Sequence, residues 1–376
     1  MNSMSNEITY ASSGVDVQLG DDASKVLYQA AKLTWENRKG CLGEIFTPFD
    51  DFTGLRVVNV GSLPQGTVMC LGFDGVGTKV EIAERLQKHD TVAYDLLAMV
   101  CDDAVVRGGE PVLVGSILDV KALSNDGTAY LDFVKQLARG YIGAAKAARV
   151  AIINGEVAEL GVRVSGYGDF NYNWGAGCVW FANRDRLLTG KEILPGQYVV
   201  ALRENGFRSN GLSLARKILQ SKLGERWHEC DKGREYASGI LMPSIIYSAA
   251  VTDMVGGVQG EPRAVVTGIA HITGGGIPGK LGRVLKPSGF GAELDSLFDP
   301  PVIMQELKSL ANIRDEEAYK TWNMGNGMLI ITPEPQKVID CAKNHNREAK
   351  IAGRIVEKVG ITIKTNRGQI LNFSTV

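Results

Sequence analysis

The stretch "LGFDGVGTKVEIAERL", residues 71–86, sets an acid, Asp74, at the mouth of a glycine turn between an apolar run and a helical pattern. Gly72 and Gly77 have Walker A spacing, but Thr78-Lys79 reverses the order in which the amine reaches the outer phosphates and the hydroxyl reaches Mg2+. A carboxylate beside polyphosphate is repulsive unless a divalent cation lies between them. The chemistry this suggests is a metal-bridged phosphate site that is not a P-loop. Taken alone, the stretch also fits a plain strand-to-helix turn with a solvated Asp.

Further acids recur beside glycine turns. Asp95 and Asp102 are seven residues apart, two helical turns, so they share a face. Asp103 falls near the end of the same helical pattern, where the helix dipole disfavours an acid. A metal would supply a reason for it, as would simple exposure. Glu156 in "INGEVAEL" follows a predicted strand, with Glu159 close by. Asp74, Asp103 and Glu156 are therefore expected to form a three-carboxylate cluster for one or two Mg2+ ions. "ENGFRSNGLSLARK" opens a helix with Ser209, Asn210 and Gly211, which suits a phosphate or an ordinary N-cap, and Arg208 adds charge. "HITGGGIPGKL" puts His271 and Thr273 ahead of Gly274, Gly275 and Gly276, whose N–H groups are free to face a ligand. His271 is either a site residue or a core histidine.

These residues need a scaffold, and 376 residues suit two domains. Apolar runs such as "TVMCLGF", read as a buried strand, alternate with helical patterns over 22–37, "KVEIAERLQ", "DTVAYDLLAMVCDDAVVRGGEP" and "GTAYLDFVKQLARGYIGAAKAARV". Gly-Lys and Pro-Gly turns near residue 186 mark a boundary between domains 1–185 and 186–376. A second unit follows, with the strand "YVVALRE", a helix from Gly211, a helix around "PSIIYSAAV" and the strand "GMLIITP". Alternating elements with helices on one side give an α+β or α/β class. A formal net charge of −1 gives a nucleic-acid role no support, and no apolar run is long enough to span a bilayer. Six scattered cysteines without a C-x-x-C pair read as reduced, buried thiols of a cytoplasmic protein. Four histidines are too few for a His-rich metal centre, so a hard cation on carboxylates is favoured.

"FDGVGTK", "DLLAMVCDDAVVRGGEP", "NGEVAE", "SNGLSLARKIL", "AHITGGG", "AYKTWNMGNGM" and "AGRI" occur in an order that resembles the aminoimidazole ribonucleotide synthetase family, also called phosphoribosylformylglycinamidine cyclo-ligase. The resemblance runs from "YASSGVDV" to "AGRIVEK". It implies a two-domain α+β fold whose N-terminal sheet pairs across a homodimer into a barrel. It also implies ATP and Mg2+ acting on a small nucleotide substrate, formylglycinamidine ribonucleotide. By position, Asp74, Asp103 and Glu156 hold Mg2+ and phosphates. Lys79 neutralises charge beside Gly75, Gly77 and Thr78. The Ser209–Gly211 turn and the loop with His271, Thr273, Gly274 and Gly275 line the substrate side. Lys79, Asp103, Glu156 and His271 are the catalytic candidates.

The chain departs from the family's pattern on several loops. Phe73 stands for Thr, Asp102 for Asn, Arg208 for His, and Asn154-Gly155-Glu156-Val157 for Gly-Gly-Glu-Thr. Ser116 stands for Asp, with Asp119 three residues on, and Ser12-Ser13-Gly14-Val15 for Asp-Ala-Gly-Val. The glycine-rich loop is reduced to "RKGCLGEIF". Phe73 and Arg208 favour, as an alternative, a related ATP-using enzyme with another acceptor. The reduced loop favours a non-catalytic nucleotide-binding paralogue.

Overall fold

The computed structural model describes residues 17–48, 54–125 and 128–375. The Ser12–Val15 departure lies outside them. The first domain is a four-stranded sheet of β1 (Thr67–Gly75), β2 (Glu110–Val120), β3 (Ala151–Glu159) and β4 (Tyr172–Asn183) in the order β1-β4-β2-β3. β4 runs antiparallel to both β1 and β2, and β2 pairs parallel with β3. Helices α1 (Val17–Thr34), α3 (Val92–Val105) and α4 (Leu131–Ala148) cover one face, while α2 (Lys79–Leu86) follows the Asp74 turn.

One face of this sheet is therefore packed and the other open. Val114, Leu118, Ala176 and Cys178 face the helices and join the main core. Met69, Leu71, Phe73 and Ile117 point the other way and are 65%, 49%, 76% and 56% exposed. This corrects the reading of "TVMCLGF" as a buried strand. Its apolar run faces helices on one side only, because no element of the same domain covers the other.

The second domain has a seven-stranded sheet. Its strands are β5 (Tyr198–Arg203), β6 (Gly268–His271), β7 (Gly291–Leu294), β8 (Asn326–Thr332), β9 (Ala349–Val356), β10 (Ile361–Lys364) and β11 (Ile370–Phe373). They lie in the order β6-β8-β5-β9-β7-β10-β11. Helices α5 (Leu212–Leu223), α6 (Asp231–Ile240), α8 (Gly276–Leu285), α9 (Val302–Leu310) and α10 (Asp315–Thr321) contribute to the same main core as the first domain. α7 (Ser248–Val255) and α11 (Pro335–Asn344) pack with Val200, Leu202 and Ile330 in a separate core. Both faces of β5 are thus buried, as its unbroken run "YVVAL" requires.

The helix predicted around "PSIIYSAAV" starts later, at Ser248, because the segment before it spends its backbone on the first domain. Lys79 Nζ donates to the Met242 carbonyl at 2.6 Å, and Ser244 Oγ donates to Asp95 Oδ1 at 2.5 Å. The Tyr247 and Ser248 N–H groups donate to Asp102 Oδ1 at 2.9 and 2.8 Å. Asp95 and Asp102 do share a helix face, and that face grips this segment. The reduced loop "RKGCLGEIF" is packed down: Arg38 pairs with Glu110 at 2.8 Å, and a Cβ on Gly43 would overlap Val112. All six cysteines are free, but Cys41, Cys70 and Cys230 are exposed, so only half of them are the buried thiols expected. No helix among the described residues is long and apolar enough to cross a membrane.

Candidate active site

Three of the loops singled out by sequence converge where the domains meet. The Asp74–Thr78 turn leaves β1 so that a Cβ on Gly77 would stand 3.7 Å from the Ser209 carbonyl. Asn210, in the Ser209–Gly211 turn, lies against the glycine loop, with its Oδ1 2.9 Å from where a Cβ on Gly274 would sit. Its Nδ2 reaches Met99 Sδ on α3 at 3.6 Å. The turn is possible because Gly211 has φ +73° and a side chain there would strike Trp322. The loop from His271 reaches α8 through Gly275 and Gly276, both at positive φ, and a Cβ on Gly276 would collide with the Tyr319 carbonyl. The third glycine is thus required by packing, while Gly274 and Gly275 remain exposed and Thr273 is buried. Gly77 and Thr78 are exposed, and Gly75 is half-buried.

The cleft holds two carboxylates. Asp74 Oδ1 accepts the Gly75 N–H at 2.7 Å. Burial pushes its carboxyl above the usual range against that bond, and the charge of Asp103 pushes it further. Asp103, whose side chain is 51% exposed, accepts from His271 Nδ1 at 2.6 Å. Burial raises Asp103, but the bond and field of His271 outweigh it and hold the carboxyl below the usual range. The partner that an acid at this helix end requires is His271. Lys280, in the second turn of α8, is half-buried within the fields of both acids. Burial pulls its ammonium below the usual lysine range, and Asp103 and Asp74 oppose that. The sequence reading missed Lys280, although it stands four residues after Gly276 in the quoted loop.

Several expected roles are corrected. Lys79 does not reach the cleft: it is 0% exposed, with Nζ 2.7 Å from Asp95 Oδ1. Glu156 does not join Asp74 and Asp103. It lies within β3, opposite Ile117 in the register, and so on the open face, whereas Asp74 aligns with Ala176 on the helix face. β4 and β2 stand between β1 and β3, so Asp74 and Glu156 are about 14 Å apart across three strand spacings. Among the described residues no group of three or more acids, His or Cys is arranged to hold a metal ion. Phe73 points to the open face, away from Asp74, and its ring lies where a Cβ on Gly177 would be. Arg208 offers no charge to a ligand, because it is wholly buried between Asp102 at 2.8 Å and Glu204 at 2.7 Å. Asp102 and Arg208, two separate departures in the sequence, are thus one compensated pair, and neither Arg208 nor Phe73 alters the cleft lining. Glu156, Asp119 and Asn154 border a groove of about 790 Å³ on the open sheet face, with Leu71, Phe73 and Ile117, and Asp74 and Ser116 also line it.

Two α+β domains with an acid pair at their junction define the class. Residues 55–179 match the family model of the AIR synthase related protein N-terminal domain, and residues 195–366 that of the C-terminal domain. The chain belongs to the AIR synthase related family. It is 33% identical to a phosphoribosylformylglycinamidine cyclo-ligase of Methanococcus maripaludis over 97% of both chains. Its fold is also that of thiamine-monophosphate kinase from Stenotrophomonas maltophilia, with a TM-score of 0.59, 12% identity and coverage of 88% of this chain and 94% of that one. The hydrogenase maturation protein HypE, solved in complex with ATP, superposes with a TM-score of 0.55 and 12% identity over 85% and 88% of the two chains.

Proposed function

We propose that the protein is an ATP-dependent cyclo-ligase that closes formylglycinamidine ribonucleotide to aminoimidazole ribonucleotide in purine biosynthesis. The observation that carries this is the match to the cyclo-ligase relative over 97% of both chains. In this reaction the γ-phosphoryl of ATP goes to the formyl oxygen, the neighbouring nitrogen attacks the activated carbon, and the C–O bond breaks as phosphate leaves. Little covalent chemistry falls to the protein, so positioning and charge neutralisation are its tasks.

Asp74 and Asp103 fit a magnesium ion. They are hard oxygen donors in each other's field, and Mg2+ is commonly held by one or two carboxylates plus substrate phosphates. When bound, Mg2+ neutralises phosphate charge. Lys280 adds a cation at the same place. The exposed N–H groups of Gly274 and Gly275 and the turn at Ser209, Asn210 and Gly211 supply donors to an anionic substrate. Purified protein is expected to release ADP from ATP and Mg2+ only when formylglycinamidine ribonucleotide is added. Release at an equal rate without it, or none, refutes the activity.

We divide the chain at residues 185 and 186, in the segment between β4 and β5, and assign the protein to the cytoplasm. The open sheet face carries Met69, Leu71, Phe73 and Ile117, an apolar surface with a glycine-lined groove, and we read it as the face that meets a second copy. Phe73→Glu places a charge at its centre. The variant is expected to sediment as a folded monomer where the parent sediments as a dimer. Equal sedimentation of the two would rule out this face.

A further inference from the structure

Arg208 carries five N–H hydrogens in a planar fork and has no acceptor. Nη1 donates to Glu204 Oε2 at 2.7 Å and to the Ile245 carbonyl at 2.7 Å. Nη2 donates to Asp102 Oδ2 at 2.8 Å and meets His271 Nε2 at 2.7 Å. Nε is buried without a partner, and the guanidinium stacks over the Tyr247 ring, its carbon 5.2 Å from the centroid. The hydrogens of Nη2 are thus divided between Asp102 and His271. Since a guanidinium can only donate, His271 Nε2 must offer its lone pair. The ring then carries its proton on Nδ1, the nitrogen 2.6 Å from Asp103 Oδ1.

We propose that Arg208 is a positioning residue that fixes His271 in its Nδ1–H form, so that His271 aims the Asp103 carboxylate into the cleft. His271 is then not an acid or base toward substrate: the ring is 3% exposed and both nitrogens are engaged. The relay crosses the domain junction. Asp102 and Asp103 belong to α3 of the first domain, and Glu204, Arg208 and His271 to the second. Only when the domains are docked is the relay complete. Its catalytic meaning rests on the role given to Asp103 above, but the tautomer itself does not.

The test is a two-bond proton–nitrogen correlation spectrum of full-length protein labelled with 15N-histidine, at pH 7. The chain has four histidines, so the His271 signal is identified as the one lost in His271→Asn. The expected pattern is a protonated Nδ1 and a bare Nε2. A proton on Nε2, with or without one on Nδ1, overturns the proposal in the unmutated protein alone. Arg208→Lys keeps a donor-only cation and is expected to keep the pattern. The paired variant Asp102→Asn with Arg208→Gln removes the Arg208 cation together with one of its two buried acid partners and supplies an acceptor. It is expected to shift the ring toward Nε2–H and to lower kcat roughly tenfold or more, with KM for ATP little changed. A folded paired variant that retains the parent tautomer and the parent kcat overturns the coupling. Absence of turnover in the parent would sink the cyclo-ligase reading and leave the spectrum to decide the proposal.

Discussion

Asp103→Ala is expected to reduce ribonucleotide-dependent ADP release on the order of a thousandfold while leaving the protein folded. The loss is large because two acids in one cleft act together on phosphate charge, and charge stabilisation of this kind is worth several kcal/mol. The fold survives because the Asp103 side chain is half exposed, and its bond to His271 is one contact at the rim of the relay. Asp103→Asn separates charge from geometry: the amide oxygen can still accept from His271 Nδ1, so the ring keeps its partner and only the charge is lost. The asparagine variant is expected to lose nearly as much activity as the alanine variant. Asp74→Ala should be comparable, and the double variant little worse than either single one, since residues that act as a unit are strongly non-additive. Steady-state ADP release across the four variants is the measurement. Single variants within threefold of the parent would remove both acids from the chemistry.

Lys79→Met is expected to lower stability by roughly 3–5 kcal/mol, read as a fall in the urea midpoint, because it leaves the Asp95 carboxyl without its cation in the interior. Both side chains of the pair are 0% exposed. The same change frees the Met242 carbonyl, which Lys79 Nζ caps at 2.6 Å, so the junction between domains loosens along with the core of the first. Replacing both partners, Lys79→Met with Asp95→Leu, should recover much of the loss, since a buried ion pair exchanged for apolar residues is often neutral or better. Ser244 limits the recovery: its hydroxyl loses the Asp95 carboxylate at 2.5 Å. In the folded fraction of the single variant, KM for ATP should stay near the parent value. A variant of normal stability with a greatly raised KM would instead restore Lys79 to the phosphate site.

Both expectations turn on what the chain order can and cannot say. The sequence by itself determined the strand–turn–helix at Asp74, the shared face of Asp95 and Asp102, and the glycine turns at Gly211 and Gly276. Each is a local matter of periodicity or of backbone conformations that few residues adopt. The ordered set of motifs also carried the family, and with it the meeting of the Asp74, Ser209 and His271 loops. What occupies the face of α3 was not legible. Asp95 and Asp102 were seen only to share a face, and that face holds a segment of the other domain, 145 residues downstream of Asp102 at Tyr247. Periodicity says that two residues share a face but not which element will cover it. Glu156 was misplaced for a related reason. The direction of a strand side chain follows from register, and β3 pairs with β2 through an irregularity at Val114 and Gly115 that no local pattern announces. The pairing of Asp102 with Arg208, and the presence of Lys280 beside Asp74 and Asp103, likewise belong to the tertiary structure alone. Burial decides whether a charge must find a partner, and only the folded chain decides which one lies within reach.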